Sequence, residues 1–402
     1  MSQVRHACPA LSAPMETGDG LLVRFLPTGP IPLDALVGLC EAARTHGNGI
    51  VEITARGSVQ VRGLTACSAS LFAATVSGFD IGIGDGVPVI ANALPDDPAA
   101  LIDADSLAAE LRRAIAEARL RLAPKVSVLV DSAGRIDLDG LFADIRLRAV
   151  ATPEGPRLKL ALAGDAKSAT PLGLIQAADA VKAVLDLLTA IAALGPEARA
   201  ADLSPTPGVT ADTQPRHGGI GPHPLKYGAF ALGIGLAFGQ ADASAPAELA
   251  RFAKAAHGEW AWPAPGRRLL LGPFAQADIA ALKAEAQDLR FIVDADDPRL
   301  RIAACAGAPA CARGLIAARA LAAEIARRVP LPGDGIAIHV SGCAKGCAQR
   351  NSAPFTVVGT EQGCGLIRDG RAHDLPSSYC RPADLAGELA RIMSKARETV
   401  DA

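Results

Sequence analysis

Six of the nine cysteines in this chain fall beyond residue 300, and four of those six come as two closely spaced pairs in small-residue turns. The first pair is Cys305-Ala-Gly-Ala-Pro-Ala-Cys311, and the second is Cys343-Ala-Lys-Gly-Cys347, led in by Ser341-Gly342. Each pair follows a predicted strand. A fold that keeps this pattern has to bring two strand ends from separate stretches side by side. Thiolates bind soft metals, and four of them suit zinc or an iron–sulfur cluster. Structural zinc knuckles usually space their cysteines by about two to four residues. Here five residues separate the first pair and three the second, which favours the cluster. Gly307, Gly342 and Gly346 let backbone N–H groups approach the sulfur atoms. The bland alternative is two unrelated pairs of buried thiols, but cysteines in glycine-rich turns make poor core residues. Cys40 and Cys67 lie on helical patterns and read as core, and Cys364 and Cys380 read as spare thiols.

Composition narrows the classes. At 402 residues, with 50% hydrophobic and 20% charged, the chain can build two or three packed domains. A formal charge of -2 argues against nucleic-acid binding, and 3% aromatic residues against base-stacking platforms. No apolar run reaches the ~18 residues of a membrane span. The first ten residues lack an apolar signal core, so the expected location is cytoplasmic.

The order of elements is duplicated. Strand 20–26, helix 33–45, a hairpin of 49–54 with 58–64 and helix 68–77 make one ferredoxin-like α+β half. Strand 227–237, helix 246–256, strands 259–262 and 268–271 and helix 276–286 repeat it. The turn Pro265-Gly266-Arg267 takes the place of Ala55-Arg56-Gly57. Two larger segments also correspond. Helix 105–120, strands 125–130 and 141–150 and helix 174–193 match helix 314–328, strands 336–340 and 354–359 and helix 383–396. The fold class is therefore α+β with a pseudo-two-fold duplication. Its expected parts are a half domain over 14–80, an α/β repeat over 81–200, a Pro-rich linker over 201–213, a second half domain over 214–296 and a second α/β repeat over 297–400.

The Cys-x5-Cys and Cys-x3-Cys order, set in this duplicated architecture, resembles the nitrite and sulfite reductase family. The likeness covers nearly the whole chain. It implies paired ferredoxin-like half domains and two catalytic repeats. It also implies a 4Fe–4S cluster on Cys305, Cys311, Cys343 and Cys347, beside a sirohaem in the reductases themselves. Within the family the chain is more similar to the precorrin-3B synthase subgroup. The likeness is carried by Ala7-Cys-Pro-Ala-Leu11, Gly18-Asp-Gly-Leu-Leu-Val-Arg24, Leu122-Ala-Pro-Lys125, Ala143-Asp-Ile-Arg-Leu-Arg148 and Ile338-His-Val-Ser-Gly-Cys-Ala-Lys-Gly-Cys347. That resemblance implies oxygen-dependent hydroxylation of precorrin-3A at C20 with closure of a γ-lactone. It further implies a mononuclear non-haem iron and electrons from a separate NADH-dependent reductase.

Precorrin-3A and sirohaem are both flat apolar macrocycles fringed by carboxylates, so either needs apolar walls and several cationic heads. Arg56 matches the family's tetrapyrrole-carboxylate arginine. Arg56, Gln60 and Arg62 would share one face of a regular strand. Lys125 matches the family's basic residue after Pro, and Arg267 is read as the second-half counterpart of Arg56. Lys345, inside the last cysteine loop, is a further candidate toward a cluster sulfide or a substrate carboxylate. Two groups that hold a small oxyanion in the reductases are missing: Ser127 stands where they carry a second lysine, and residues 87–92 offer no matching arginine. For the mononuclear iron the candidates are His217, His223 and His339, since a facial triad needs two histidines and an acid. The glycine runs at 218–221 and 82–86 lack the strand–loop–helix setting of a nucleotide site and read as loops. The rival readings are a sirohaem sulfite or nitrite reductase and a non-catalytic cluster-bearing tetrapyrrole or electron-transfer protein.

Overall fold

The computed structural model describes residues 9–84, 86–92, 94–136, 138–203, 218–331, 335–349 and 351–398. The first half runs β1 (Met15–Thr17), β2 (Gly20–Phe25), β3 (Ile31–Pro32), α1 (Leu33–His46), β4 (Ile50–Ile53), β5 (Val59–Leu64) and α2 (Ala66–Ser77). It continues with β6 (Val89–Ile90), α3 (Ala104–Ala118), β7 (Val128–Asp131), β8 (Ala143–Val150), β9 (Arg157–Gly164), β10 (Thr170–Ile175) and α4 (Ala180–Ala193). The second half runs β11 (Gly221–Pro224), β12 (Phe230–Gly235), β13 (Gln240–Asp242), α5 (Ser244–Ala255), β14 (Trp260–Ala264), β15 (Arg268–Phe274) and α6 (Ile279–Asp288). It ends with β16 (Ile302–Ala304), α7 (Ala318–Arg328), β17 (Ile338–Ser341), β18 (Ala353–Thr360), β19 (Gly363–Gly370), β20 (Ser378–Cys380) and α8 (Leu385–Glu398).

Local chemistry sets the helix ends. Thr65 and Ser68 cap α2 reciprocally, each side chain accepting from the other's backbone N–H. Asp103 caps α3 by accepting from Ser106 N at 3.0 Å. Asp34 in the first turn of α1 and Arg44 and His46 in its last complement the helix dipole.

The strands form four five-stranded sheets: β1-β2-β5-β4-β13, β11-β12-β15-β14-β3, β10-β9-β8-β7-β6 and β16-β17-β18-β19-β20. The two half domains trade an edge strand. β13 pairs antiparallel with β4 of the other half, and β3 pairs with β14. One core serves both halves, with Val23, Leu39 and Phe72 from the first and Leu232, Leu249 and Phe274 from the second. The remaining two sheets share one plan: β6, β7 and β8 are parallel and then turn antiparallel, as do β16, β17 and β18. The inner parallel strands β7 and β17 are buried along their whole length, as strands covered on both faces must be.

Several sequence-based boundaries need correction. The segment expected to be helical from 174 begins as edge strand β10, and α4 starts only at Ala180. The helix expected from Gly314 starts at Ala318, because Gly314 and Leu315 are held in the cysteine loop by Gly314 N to Cys311 O and Leu315 N to Gly342 O, both 2.8 Å. The strand expected from Lys125 starts at Val128. Val126 N closes a turn onto Ala123 O at 3.0 Å, and buried Ser127 is held by Asp144. The strand expected from Tyr227 starts at Phe230, since Tyr227 is left-handed at φ 62°. Of the expected linker, 201–203 closes a short 3-10 turn and 204–213 lies outside the described residues.

Candidate functional site

Cys305 directly follows β16, and Cys343 lies two residues past β17, its parallel neighbour. The two cysteine loops therefore meet at one end of one sheet. Gly342 N donates to Cys305 Sγ at 3.0 Å. Cys311 N donates to Gly307 O at 2.8 Å, folding the first loop back on itself. Ser341 Oγ donates to Cys343 O at 2.7 Å and fixes the start of the second. Cys305, Cys311 and Cys343 all lie within electrostatic reach of Cys347. Loss of solvation among the surrounding loops pushes the Cys347 thiol up even though part of its surface stays exposed, Lys345 pulls it back, and Cys305, Cys343 and Cys311 add to the rise. Cys347 is exposed and the other three are half-buried.

The glycines carry this convergence. A Cβ on Gly342 would stand 2.9 Å from Gly307 Cα and 3.2 Å from Gly314 Cα. Gly307 is left-handed at φ +64°, and a Cβ there would stand 2.5 Å from Ala318 N. Three backbones meet with no room for a side chain between them. Among the described residues no group of three or more His, Cys, Asp or Glu closes around a single ion. Four thiols on two loops in a glycine cradle, with an N–H already aimed at one sulfur, are donors of the kind an iron–sulfur cluster takes.

Arg62 ties the first half domain to the first cysteine loop. Its Nε and Nη2 donate to Asp19 at 3.1 and 2.9 Å, and Nη2 also donates to Ala310 O. Burial works against the Arg62 charge, but Asp19, Glu52 and the nearby Cys311 outweigh it and hold the guanidinium protonated. The turn before Asp19 abuts the same loop, where a Cβ on Gly18 would lie 2.5 Å from Ala312 N. Gln60 is also engaged within the protein, accepting from Arg24 Nε and donating to Glu52 Oε2, both at 2.5 Å. Gln60 and Arg62 both reach Glu52 and so share a face, while Arg56 sits in the preceding turn. Arg319 on α7 completes the network with Nη2 2.5 Å from Glu52 Oε1. Asp19, Glu52 and Arg319 were missed by sequence reasoning. The one available signal was Arg319 alone among alanines just past the cysteine loop.

Arg56 and Arg267 occupy turns that touch. Arg56 bridges to Pro265, and Gly266 N donates to Ala55 O at 2.9 Å. By position in the turn Arg56 corresponds to Gly266, and Arg267, one residue further on, to Gly57; Arg267 and Gly57 are both left-handed, at φ 64° and 81°. Arg56 Nη2 donates to Phe142 O at 3.0 Å. Arg267 Nη2 donates to Ala348 O at 3.0 Å, beside Cys347. Burial, then Arg319 and Arg268, brings the Arg267 guanidinium down to about 10. Beneath this loop His339 is fully buried with neither ring nitrogen hydrogen-bonded. Burial and then Arg267 lower it to about 4, so the ring is neutral.

Lys125 is exposed ahead of β7, its carbonyl accepting from Arg199 at 2.9 Å. Lys345 is exposed on the second cysteine loop. His223 is buried on β11 in the second half domain's sheet, and His339 lies on β17 in another. His217 lies outside the described residues. His223 and His339 thus lie in different sheets, and among the described residues they share no metal site.

The first α/β repeat preserves the frame of the cysteine site without its thiols. Strand register equates Val89 and Val128 with Ile302 and Ile338, which places Asn92 at Cys305 and Ser132 at Gly342. Ser132 N donates to Asn92 Oδ1 at 2.6 Å, as Gly342 N does to Cys305 Sγ. Leu101 N donates to Ser132 O at 2.9 Å, as Leu315 N does to Gly342 O. A cavity of about 510 Å³ opens there, lined by Asn92, Asp97, Asp103, Asp105, Ser132 and Lys226 among others.

Comparison with known proteins agrees with this architecture. Residues 13–67 match the family model described as the nitrite/sulfite reductase ferredoxin-like half domain. The NirA protein of Mycobacterium tuberculosis superposes with a TM-score of 0.74 over 93% of this chain and 80% of that one, at 17% identity, a likeness of fold. A curated protein of Sinorhizobium sp, precorrin-3B synthase, is 36% identical over 419 aligned positions, covering 100% of this chain and 91% of the relative. No described helix is long and apolar enough to cross a membrane. The chain belongs to the precorrin-3B synthase family, a branch of the nitrite/sulfite reductase-like proteins.

Proposed function

We propose that the chain is an oxygen-dependent monooxygenase that hydroxylates precorrin-3A at C20 with γ-lactone formation, in aerobic cobalamin biosynthesis. The reading rests foremost on full-length identity to a precorrin-3B synthase, and the convergent cysteine loops support it. One oxygen atom of O₂ enters the product and the other leaves as water, the two electrons coming from NADH through a separate reductase. Cys305, Cys311, Cys343 and Cys347 would hold a 4Fe–4S cluster. When bound, the cluster supplies single electrons, which dioxygen requires of a closed-shell partner.

The chain's own residues bind and orient the substrate. Arg56 and Arg267, on touching turns, with Lys345 and Lys125, take its rim carboxylates. Arg62 positions the first cysteine loop through Ala310 O, and Gln60 braces Glu52 behind it. His223 and His339 stand in different sheets, and no step is assigned to a mononuclear iron. Ser127 counts against sulfite or nitrite reduction. It stands where the reductases carry a lysine, and its backbone N–H donates to Asp144 at 3.0 Å.

The test is anaerobic reconstitution with iron and sulfide, followed by turnover of precorrin-3A under ¹⁸O₂. The expected product gains one labelled oxygen. Sirohaem bands in the purified protein would instead favour the reductase reading. Unchanged precorrin-3A with a full cluster would favour a carrier.

A further inference from the structure

Cys364 and Cys380, which the site above does not use, are direct partners across the antiparallel pair β19–β20. Directly opposed residues of such a pair have Cα atoms about 4.5 or 5.5 Å apart, and both spacings fall inside the disulfide window of about 4.4–6.8 Å. Cys364 is fully buried in the core of this sheet, and half-buried Cys380 packs against that core. The backbones approach closely here, since a Cβ on Gly363 would stand 2.7 Å from Cys380 O. β20 is an edge strand of three residues that leads through the turn Pro382–Asp384 into α8. This short strand leads into α8, whose Leu385 and Leu389 are buried in the same core as Cys364.

We propose that Cys364 and Cys380 form a reversible cross-strand disulfide when the protein meets hydrogen peroxide, stapling β20 and α8 to the sheet that carries the cysteine loops. Cys380, the more accessible thiol, reacts first. Its thiolate attacks one peroxide oxygen, the O–O bond breaks, and a sulfenic acid and hydroxide result. The Cys364 sulfur then displaces the sulfenic oxygen, which leaves as water. The sum is two thiols and one peroxide giving one disulfide and two waters. Burial, with Glu388 and Asp384 nearby, keeps Cys380 protonated, and burial with Cys380 pushes Cys364 up to about 12. The bond therefore forms slowly, under sustained oxidation. This inference is independent of the proposed function.

Arg368 and Arg371 lie between the two cysteines, so trypsin puts them on separate peptides unless a bond joins them. The full-length protein is treated with hydrogen peroxide, alkylated without reduction, digested and analysed by mass. The expected result is a linked Cys364–Cys380 peptide that dithiothreitol separates. Amide exchange in 378–390 should slow by about tenfold in the oxidised protein and not in Cys364→Ser. In Cys364→Ser, Cys380 should proceed to the sulfinic acid instead. Full alkylation of both thiols after treatment, or Cys380 oxidised to the sulfinic acid with Cys364 intact in the unsubstituted chain, would overturn the proposal.

Discussion

Asn92 stands in the first α/β repeat where Cys305 stands in the second, each accepting a hydrogen bond from the backbone of the neighbouring strand end. The duplication has kept the frame in both copies and the thiols in one. Asn92 also donates to Ile136 O at 3.1 Å, so its amide is doubly held. Asn92→Ala leaves the buried Ser132 N–H without its acceptor and should cost about 1–3 kcal/mol. Asn92→Cys restores an acceptor and should be milder, with no gain in bound iron because no other thiols meet it there. Urea unfolding and iron analysis of the two variants check this.

Gly342→Ala should abolish the cysteine arrangement while sparing the half domains. The added Cβ meets the Gly307 and Gly314 backbones at 2.9 and 3.2 Å, where no flexible side chain can give way. Iron and sulfide content after reconstitution should fall to near background, while far-ultraviolet circular dichroism stays close to that of the parent.

Arg62→Met should free the first cysteine loop without touching a thiol. Asp19→Asn should do so more weakly, because it keeps shape and loses charge. Hydrogen exchange across 306–312 should quicken in both, and a chelator should strip the cluster faster, Arg62→Met leading. Asp19 also sets a pH limit. Burial would raise its carboxyl, but hydrogen bonds from Arg62 and Thr17 hold it below the usual range. The clamp is therefore complete above about pH 4 and is lost as pH falls through the lowered value.

His339 gives a second pH signature. The unfolded imidazole takes its proton near 6.5 and the folded one near 4. The unfolded state thus binds protons first, and stability falls as pH drops from about 6.5 to about 4. The loss totals roughly 3 kcal/mol from one site. In His339→Leu that limb of the stability–pH curve should flatten. An unchanged limb would mean that other groups produce it.

Much of this was legible in the sequence because it rests on local pattern. The strand-end cysteines, the glycines among them and the duplicated element order all lie within short windows. The strand trade between half domains was not legible, since β3 and β13 are two and three residues long and find their partners about two hundred positions away. Arg62 reads as a cationic candidate from its charge alone, because a sequence does not show a charge's partners. Asp19 and Ala310, which engage it, lie in other segments of the chain. The Asn92–Cys305 equivalence became visible only through strand register.

The central claim is that four sulfurs from two loops share one inorganic core. Cys305→Ser, Cys311→Ser, Cys343→Ser and Cys347→Ser, each reconstituted anaerobically and measured for iron, sulfide and low-temperature electron paramagnetic resonance beside the parent, test it most directly. The account predicts about four irons and four sulfides in the parent, with each variant losing or altering the same single signal. Full, unaltered clusters in any one variant, or stoichiometric zinc in the parent, would contradict it.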